Sequence, residues 1–183
     1  MGKEGRRPWS AAASVASCLF GVGLAFAWVS GCANSKPGAS ASVEPIRISQ
    51  ALGQGDPARR ASVRLVVQGL DEDEANRTQR ARGSYERALQ VDPTNPYAYL
   101  ALARHALEVG EAEQALDFIE QAAALFEAEG LRRPEVGVHL IGLRAEALQA
   151  GGRAEEAQLY FETAGDLAPA VWRDGTLSAS ELR

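Results

Sequence analysis

Two cysteines and two histidines are the side chains best suited to nucleophilic or metal chemistry in this chain of 183 residues. Cys18 sits inside an apolar run near the start, and Cys32 follows the small residues Ser30 and Gly31. His105 and His139 fall on different expected helices with no partner at ligand spacing. Each therefore reads as a surface or half-buried helix residue rather than as a metal ligand. No GxSxG, Walker-type loop or HExxH occurs in the sequence. Carboxylates are plentiful, but Glu111, Glu113, Glu155 and Glu156 stand at expected helix starts, where they complement the helix dipole. An acid–base pair also needs a pocket, and nothing in the sequence marks one. The expectation is a chain with no catalytic residue, no metal and no cofactor.

The chemistry left to the cysteines is covalent modification. Lys3, Arg6 and Arg7 are followed by an uncharged stretch, Pro8 to Ser35, whose apolar centre is AAASVASCLFGVGLAFAWV. A positive start, an apolar middle and small residues at the end describe a secretory signal peptide. Its last residues, Val29-Ser30-Gly31-Cys32, resemble the bacterial lipobox: an aliphatic residue, two small ones, then cysteine. That resemblance implies a cleaved leader over residues 1–31, a diacylglyceryl group on the Cys32 sulfur and acylation of the new amino terminus. Several acyl chains anchor a protein stably where one would not. Ala33, rather than aspartate, follows the cysteine. In a diderm bacterium of the enteric type this implies transport to the outer membrane, facing the periplasm. The competing reading is an uncleaved signal anchor, because the apolar run approaches the ~20 residues that span a bilayer. Cys18 leaves with a cleaved leader, so the mature domain has no thiol for a disulfide, a metal or catalysis.

Residues 32–55 are small and polar and read as a lipidated cysteine with a flexible tether. Ile46, Ile48 and Leu52 offer the alternative of a short cap packed on the first of the expected helices. The segment PYAYLALARHALEVGEAEQALDFIEQAAALFE, Pro96 to Glu127, reads as two amphipathic helices in a tight hairpin. Asn95 and Pro96 open the first helix and Gly110 closes it. A backward shift of 34 residues aligns Ala115 with Ala81, Ile119 with Tyr85 and Ala122 with Ala88. A forward shift of 42 aligns Gly110 with Gly152, Ala115 with Ala157, Ile119 with Phe161 and Ala122 with Ala164. The extra eight residues fall around Ala128 to Glu135, which predicts a long second helix in the middle unit. The first unit has the apolar stripe but no clear glycine stop, and the acidic cluster Asp71 to Glu74 reads as a solvated helix end.

A period of 34 residues, helix–turn–helix units and small residues at the crossing points resemble the tetratricopeptide repeat. The resemblance covers roughly Ala58 to Pro169. It implies an all-α fold: a short solenoid of about three repeats over residues 56–170, behind the leader, with a cap or tail at 171–183. Trp172 and Leu177 could cover the exposed apolar face of the last helix, as an array needs an end cap. The family also implies a concave groove lined by the first helix of each unit, which receives a peptide or a partner helix. Carried over by position, the groove residues are Tyr97, Leu100, Arg104, Leu107 and Glu108 in the middle unit. His139, Gly142, Glu146 and Gln149 line it in the last, with Val63, Val66 and Leu70 in the first. Leu100 and Leu107 could equally pack against a neighbouring helix. The lysine and asparagine pattern of a carboxylate clamp does not occur at these positions.

Charge narrows the partner class. The chain carries a net charge of −5, and residues 32–183, with 16 basic against 23 acidic side chains, come to −7. An acidic module with no basic stripe is a poor nucleic-acid binder. The main expectation is a membrane-anchored adaptor that holds a protein or peptide partner in the cell envelope, in a role such as pilus or secretion assembly or outer-membrane biogenesis. The alternatives are a self-associating structural lipoprotein, a homo-oligomer without a dedicated ligand, and, more weakly, a carrier of a small ligand.

Overall fold

The computed structural model describes residues 42–183, so the expected leader, Cys32 and the tether up to residue 41 lie outside the described residues. Helix α1 (Pro57–Glu74) pairs with α2 (Thr78–Val91), α3 (Pro96–Glu108) with α4 (Ala112–Ala128), and α5 (Pro134–Ala150) with α6 (Ala154–Leu167). Together they form the all-helical array of antiparallel pairs that the periodicity implies. Short helices α7 (Pro169–Trp172) and α8 (Ala179–Leu182) come after the array, and a 3-10 turn at Ile48–Ala51 precedes it.

Local chemistry accounts for the boundaries. Asp56 accepts a hydrogen bond from the Arg59 amide at the start of α1. Asn95 accepts one from the Tyr97 amide at the start of α3. Proline follows each of these caps, where its missing N–H costs nothing. Gly110 and Gly152, at φ of 82° and 80°, turn the chain out of α3 and α5. In the first unit Asn76, at φ of 56°, takes the same left-handed place. This is why no glycine marks that turn. The inserted residues are shared: α4 has 17 residues against 14 in both α2 and α6, and α5 has 17 against 13 in α3, so the expected lengthening of the second helix accounts for only part of them.

The aligned alanines are the crossing points. Ala81, Ala115 and Ala157, and likewise Ala88, Ala122 and Ala164, are fully buried, which lets helix axes approach closely. Tyr85 and Ile119 are equally buried, whereas Phe161, at the end of the array, is only half covered.

Helix α3 departs from the amphipathic pattern, for it is buried on nearly all sides from Pro96 to Ala106, with Tyr99 half-buried. Two flanking segments cover the side that neighbouring helices leave. In the first, Val43 N–H donates to Leu167 O at 2.7 Å and Ile46 N–H to Glu135 O at 3.0 Å. Ile48 and Ala51 are then buried. The described part of the expected tether is therefore packed chain rather than linker, because its aliphatic residues find an apolar face to cover. The second segment, after α6, buries Trp172, Leu177 and Leu182 and reaches α1. The two segments meet where Ser49 N–H donates to Arg183 O at 2.8 Å.

Trp172 lies against α5 at Gly142, where a Cβ would stand 2.3 Å from Trp172 Cε2. Gly142→Ala is expected to displace the indole and destabilise the protein by about 1–3 kcal/mol, the usual cost of overpacking. Urea titration followed by circular dichroism measures this, and an unchanged midpoint would show that the indole is not held there.

Candidate functional site

Helices α1, α3 and α5 lie side by side and form the face on which a groove was expected. The structure does not leave that groove open. Tyr97, Leu100, Arg104 and His139 are 5 %, 0 %, 3 % and 0 % exposed. Leu107 is half-buried against the core. The apolar floor expected from Tyr97, Leu100 and Leu107 is thus largely interior, and residues 44–54 and 176–180 of the flanking segments border Tyr97 and Arg104. Gly142 carries Trp172, and Val63, Val66 and Leu70 are fully buried in α1. Of the carried-over residues, Glu108 and Gln149 are exposed and Glu146 is half-buried.

Arg104 is buried because a carboxylate is buried beside it. Asp73, on α1, accepts from Tyr85 Oη at 2.8 Å, from Arg104 Nη2 at 2.5 Å and from His105 Nδ1 at 2.9 Å. Burial alone would push the Asp73 carboxyl up. The His105 hydrogen bond, the Arg104 charge and the Tyr85 hydroxyl outweigh it and hold the carboxyl below its usual range. Burial and the adjacent Asp73 charge push the Tyr85 hydroxyl up, so it remains a donor. Arg104 Nη1 also donates to Glu108 at 2.6 Å. Asp73 is therefore not part of a solvated helix end; three donors from α2 and α3 hold its charge inside. Both histidines are likewise interior rather than superficial. His139 Nε2–H donates to Ile46 O at 2.9 Å. Burial lowers the His139 pKa to about 4, so the imidazole is neutral at pH 7.

Glu146, on α5, is different. It lies between two recesses. One, about 450 Å³, also includes Asp73, Glu74, Arg104, Glu108 and the stretch 176–180. The other, about 720 Å³, lies between α5, α6 and residues 172–176, with Gln149, Phe161 and Trp172 in its wall. Tyr97 lines a separate recess of about 360 Å³ with residues of the first flanking segment. The expected site residues are therefore divided among recesses rather than joined in one channel. Burial raises the Glu146 pKa to about 7, an effect that the Arg104 charge only partly offsets. Its Oε2 is buried with no hydrogen-bond partner, as is the indole Nε1 of Trp172. Sequence reasoning placed Glu146 on this face but missed the recess, since Trp172, Asp174 and Phe161 come from other elements. The one legible signal was a tryptophan just past the last repeat.

Among the described residues, no group of three or more His, Cys, Asp or Glu side chains is placed to hold a metal ion. Residues 74–129 match the family model described as Tetratricopeptide repeat, a span that runs from the end of α1 through α4. No curated protein and no solved structure shows a significant match to the chain.

The buried carboxylates give two outcomes to measure. Asp73→Ala leaves Arg104 buried without its principal counter-charge and is expected to cost about 3–5 kcal/mol in urea titrations. A loss below about 1 kcal/mol would mean that water reaches Arg104. For Glu146 the sign comes from a folded pKa of about 7, above the ordinary value of 4.5. Its contribution is fully present below pH 4.5 and is lost as pH rises through about 7. His139 acts oppositely, its contribution being present above pH 6.5 and lost as pH falls through about 4. Glu146→Gln should therefore be more stable than the parent at pH 8, by up to about 3 kcal/mol, with the gain shrinking towards pH 5. A pH-independent difference would place the Glu146 carboxyl in solvent.

Proposed function

We propose that this chain is a lipid-anchored adaptor of the bacterial cell envelope that holds a protein partner at the membrane. Protein–protein interaction is the general role that a tetratricopeptide segment suggests, and residues 74–129 provide that segment. The anchor rests on the observation that carries the reading: Val29-Ser30-Gly31-Cys32 at the end of an apolar leader. Among the described residues no helix is long and apolar enough to cross a membrane. Attachment in this proposal is therefore through acyl chains on Cys32, and Ala33 favours the outer membrane, facing the periplasm. Packing of residues 43–52 against the helices leaves the stretch after Cys32, up to about residue 42, as the tether. A short tether would keep the repeats close to the bilayer surface. Because most of the expected groove residues are buried, this reading puts the partner on the recesses beside Glu146 or on the outer helix faces.

Intact-mass spectrometry of the membrane fraction tests the anchor. The expected species lacks residues 1–31 and carries several acyl chains, and Cys32→Ser should leave the mature domain unacylated and unprocessed. A full-length, unacylated mass for the parent chain would instead make residues 1–31 a membrane-spanning anchor.

A further inference from the structure

The recess between α5, α6 and residues 172–176 has a volume of about 720 Å³. Its rim carries Glu146, Glu162, Asp166 and Asp174, with Arg173 as the one cation in its lining. Among the described residues none of these four carboxylates makes an ion pair. Elsewhere on the surface Glu72, Glu86 and Glu156 pair with Arg77, Arg82 and Arg153, while Glu74, Glu113, Asp117 and Glu155 are likewise without an ion pair among the described residues; what sets the four apart is that one recess gathers them. Aromatic surface from Phe161 and Trp172 completes the wall.

We propose that this recess takes a lysine or arginine side chain of an extended partner segment, its aliphatic stem on Phe161 and Trp172 and its cation at Glu146. The assignment rests on the adaptor reading above and adds the chemistry of the partner. A concave site whose lining carries four carboxylates against one guanidinium concentrates positive charge. Lysine and arginine bury their stems on apolar surface while the charged head meets carboxylates, and a cation is favourable over an aromatic face. Two residues of the lining each hold a buried polar atom without a partner, Glu146 Oε2 and Trp172 Nε1. Such orphans are uncommon in folded proteins. A bound segment would supply a cation for the carboxylate of Glu146, which is only half-buried. An acidic segment would be repelled, and a wholly apolar one would desolvate the carboxylates without compensation. Burial raises the Glu146 pKa, and the Arg104 charge and a hydrogen bond from the Leu177 backbone offset this only in part.

The test uses the full chain in detergent with capped hexapeptides of alanine carrying one lysine, arginine, glutamine or glutamate, titrated into the millimolar range. Heteronuclear NMR follows the indole N–H of Trp172, distinguished from those of Trp9 and Trp28 by Trp172→Phe. The lysine and arginine peptides should bind saturably and shift the Trp172 signal, and the glutamine and glutamate peptides should not. Glu146→Gln and Asp174→Asn should each weaken binding, the first by about tenfold or more, as expected for a desolvated charge contact. Asp117→Asn, on α4 outside the recess, should leave binding unchanged. Equal binding of the glutamine peptide, or as large a loss in Asp117→Asn as in Glu146→Gln, would overturn the assignment. Capture of an envelope partner by crosslinking that excess lysine peptide fails to displace would also overturn it, while leaving the adaptor reading intact. Saturable lysine-peptide binding with no protein partner captured would do the reverse.

Discussion

Helix α3 carries apolar side chains on both of its long faces, and the rest of the structure depends on the need to cover both. Neighbouring helices α1, α4 and α5 cover one side and its flanks. On the other, Tyr97 borders residues 44–54 and Arg104 borders residues 176–180, and at ~25 cal/mol per Å² the exposure of apolar surface there to water is costly. Residues 43–52 and 169–183 remove it. They bring Ile48, Trp172, Leu177 and Leu182 into the core and satisfy their own backbone through bonds to Leu167, Glu135 and each other. A three-unit array has two ends and few internal interfaces, so covering a broad face with flanking chain adds burial that further repeats would otherwise supply.

The same enclosure explains the charges. Once α3 is surrounded, Arg104 cannot reach bulk water and must have an internal counter-charge. Asp73 provides it, and Tyr85 and His105 fill the carboxylate's remaining acceptor sites. The network joins α1, α2 and α3, so it fixes the first unit against the second at the place where the sequence repeat is weakest. Its opposite charges pair directly inside the fold, with only Arg104 Nε left without a partner, and that pairing marks it as structural.

Glu146 lies a short way along the same face but is organised differently. It is partly buried, and among the described residues no ion pair compensates it. A carboxylate held in this way weakens the fold near neutral pH. Such a cost is commonly found where a side chain is kept for binding rather than for stability. The recess beside it opens where the second flanking segment turns away from α5, so the feature that closes most of the groove also shapes what stays accessible.

Much of this was legible in the residues. Alanines spaced 34 and 42 apart establish three helix pairs, because small residues are required wherever helices cross closely, and Asn95, Pro96, Gly110 and Gly152 mark boundaries through their own backbone preferences. Groove positions transferred by register fall on α1, α3 and α5. Their exposure did not transfer, because it depends on segments outside the repeat that carry no periodicity. Ile46, Ile48, Trp172 and Leu177 are apolar enough to suggest covering something, yet a sequence cannot say which surface they reach. Asp73 shows the same limit: among the acidic residues Asp71 to Glu74 only its place in the fold, opposite Arg104, makes it interior. Local sequence thus determined the helices, their order and their pairing, since propensity, capping and helical period act over a few residues. Tertiary structure alone decided which face stayed open, since burial arises from contacts between residues as distant as Ile46 and His139.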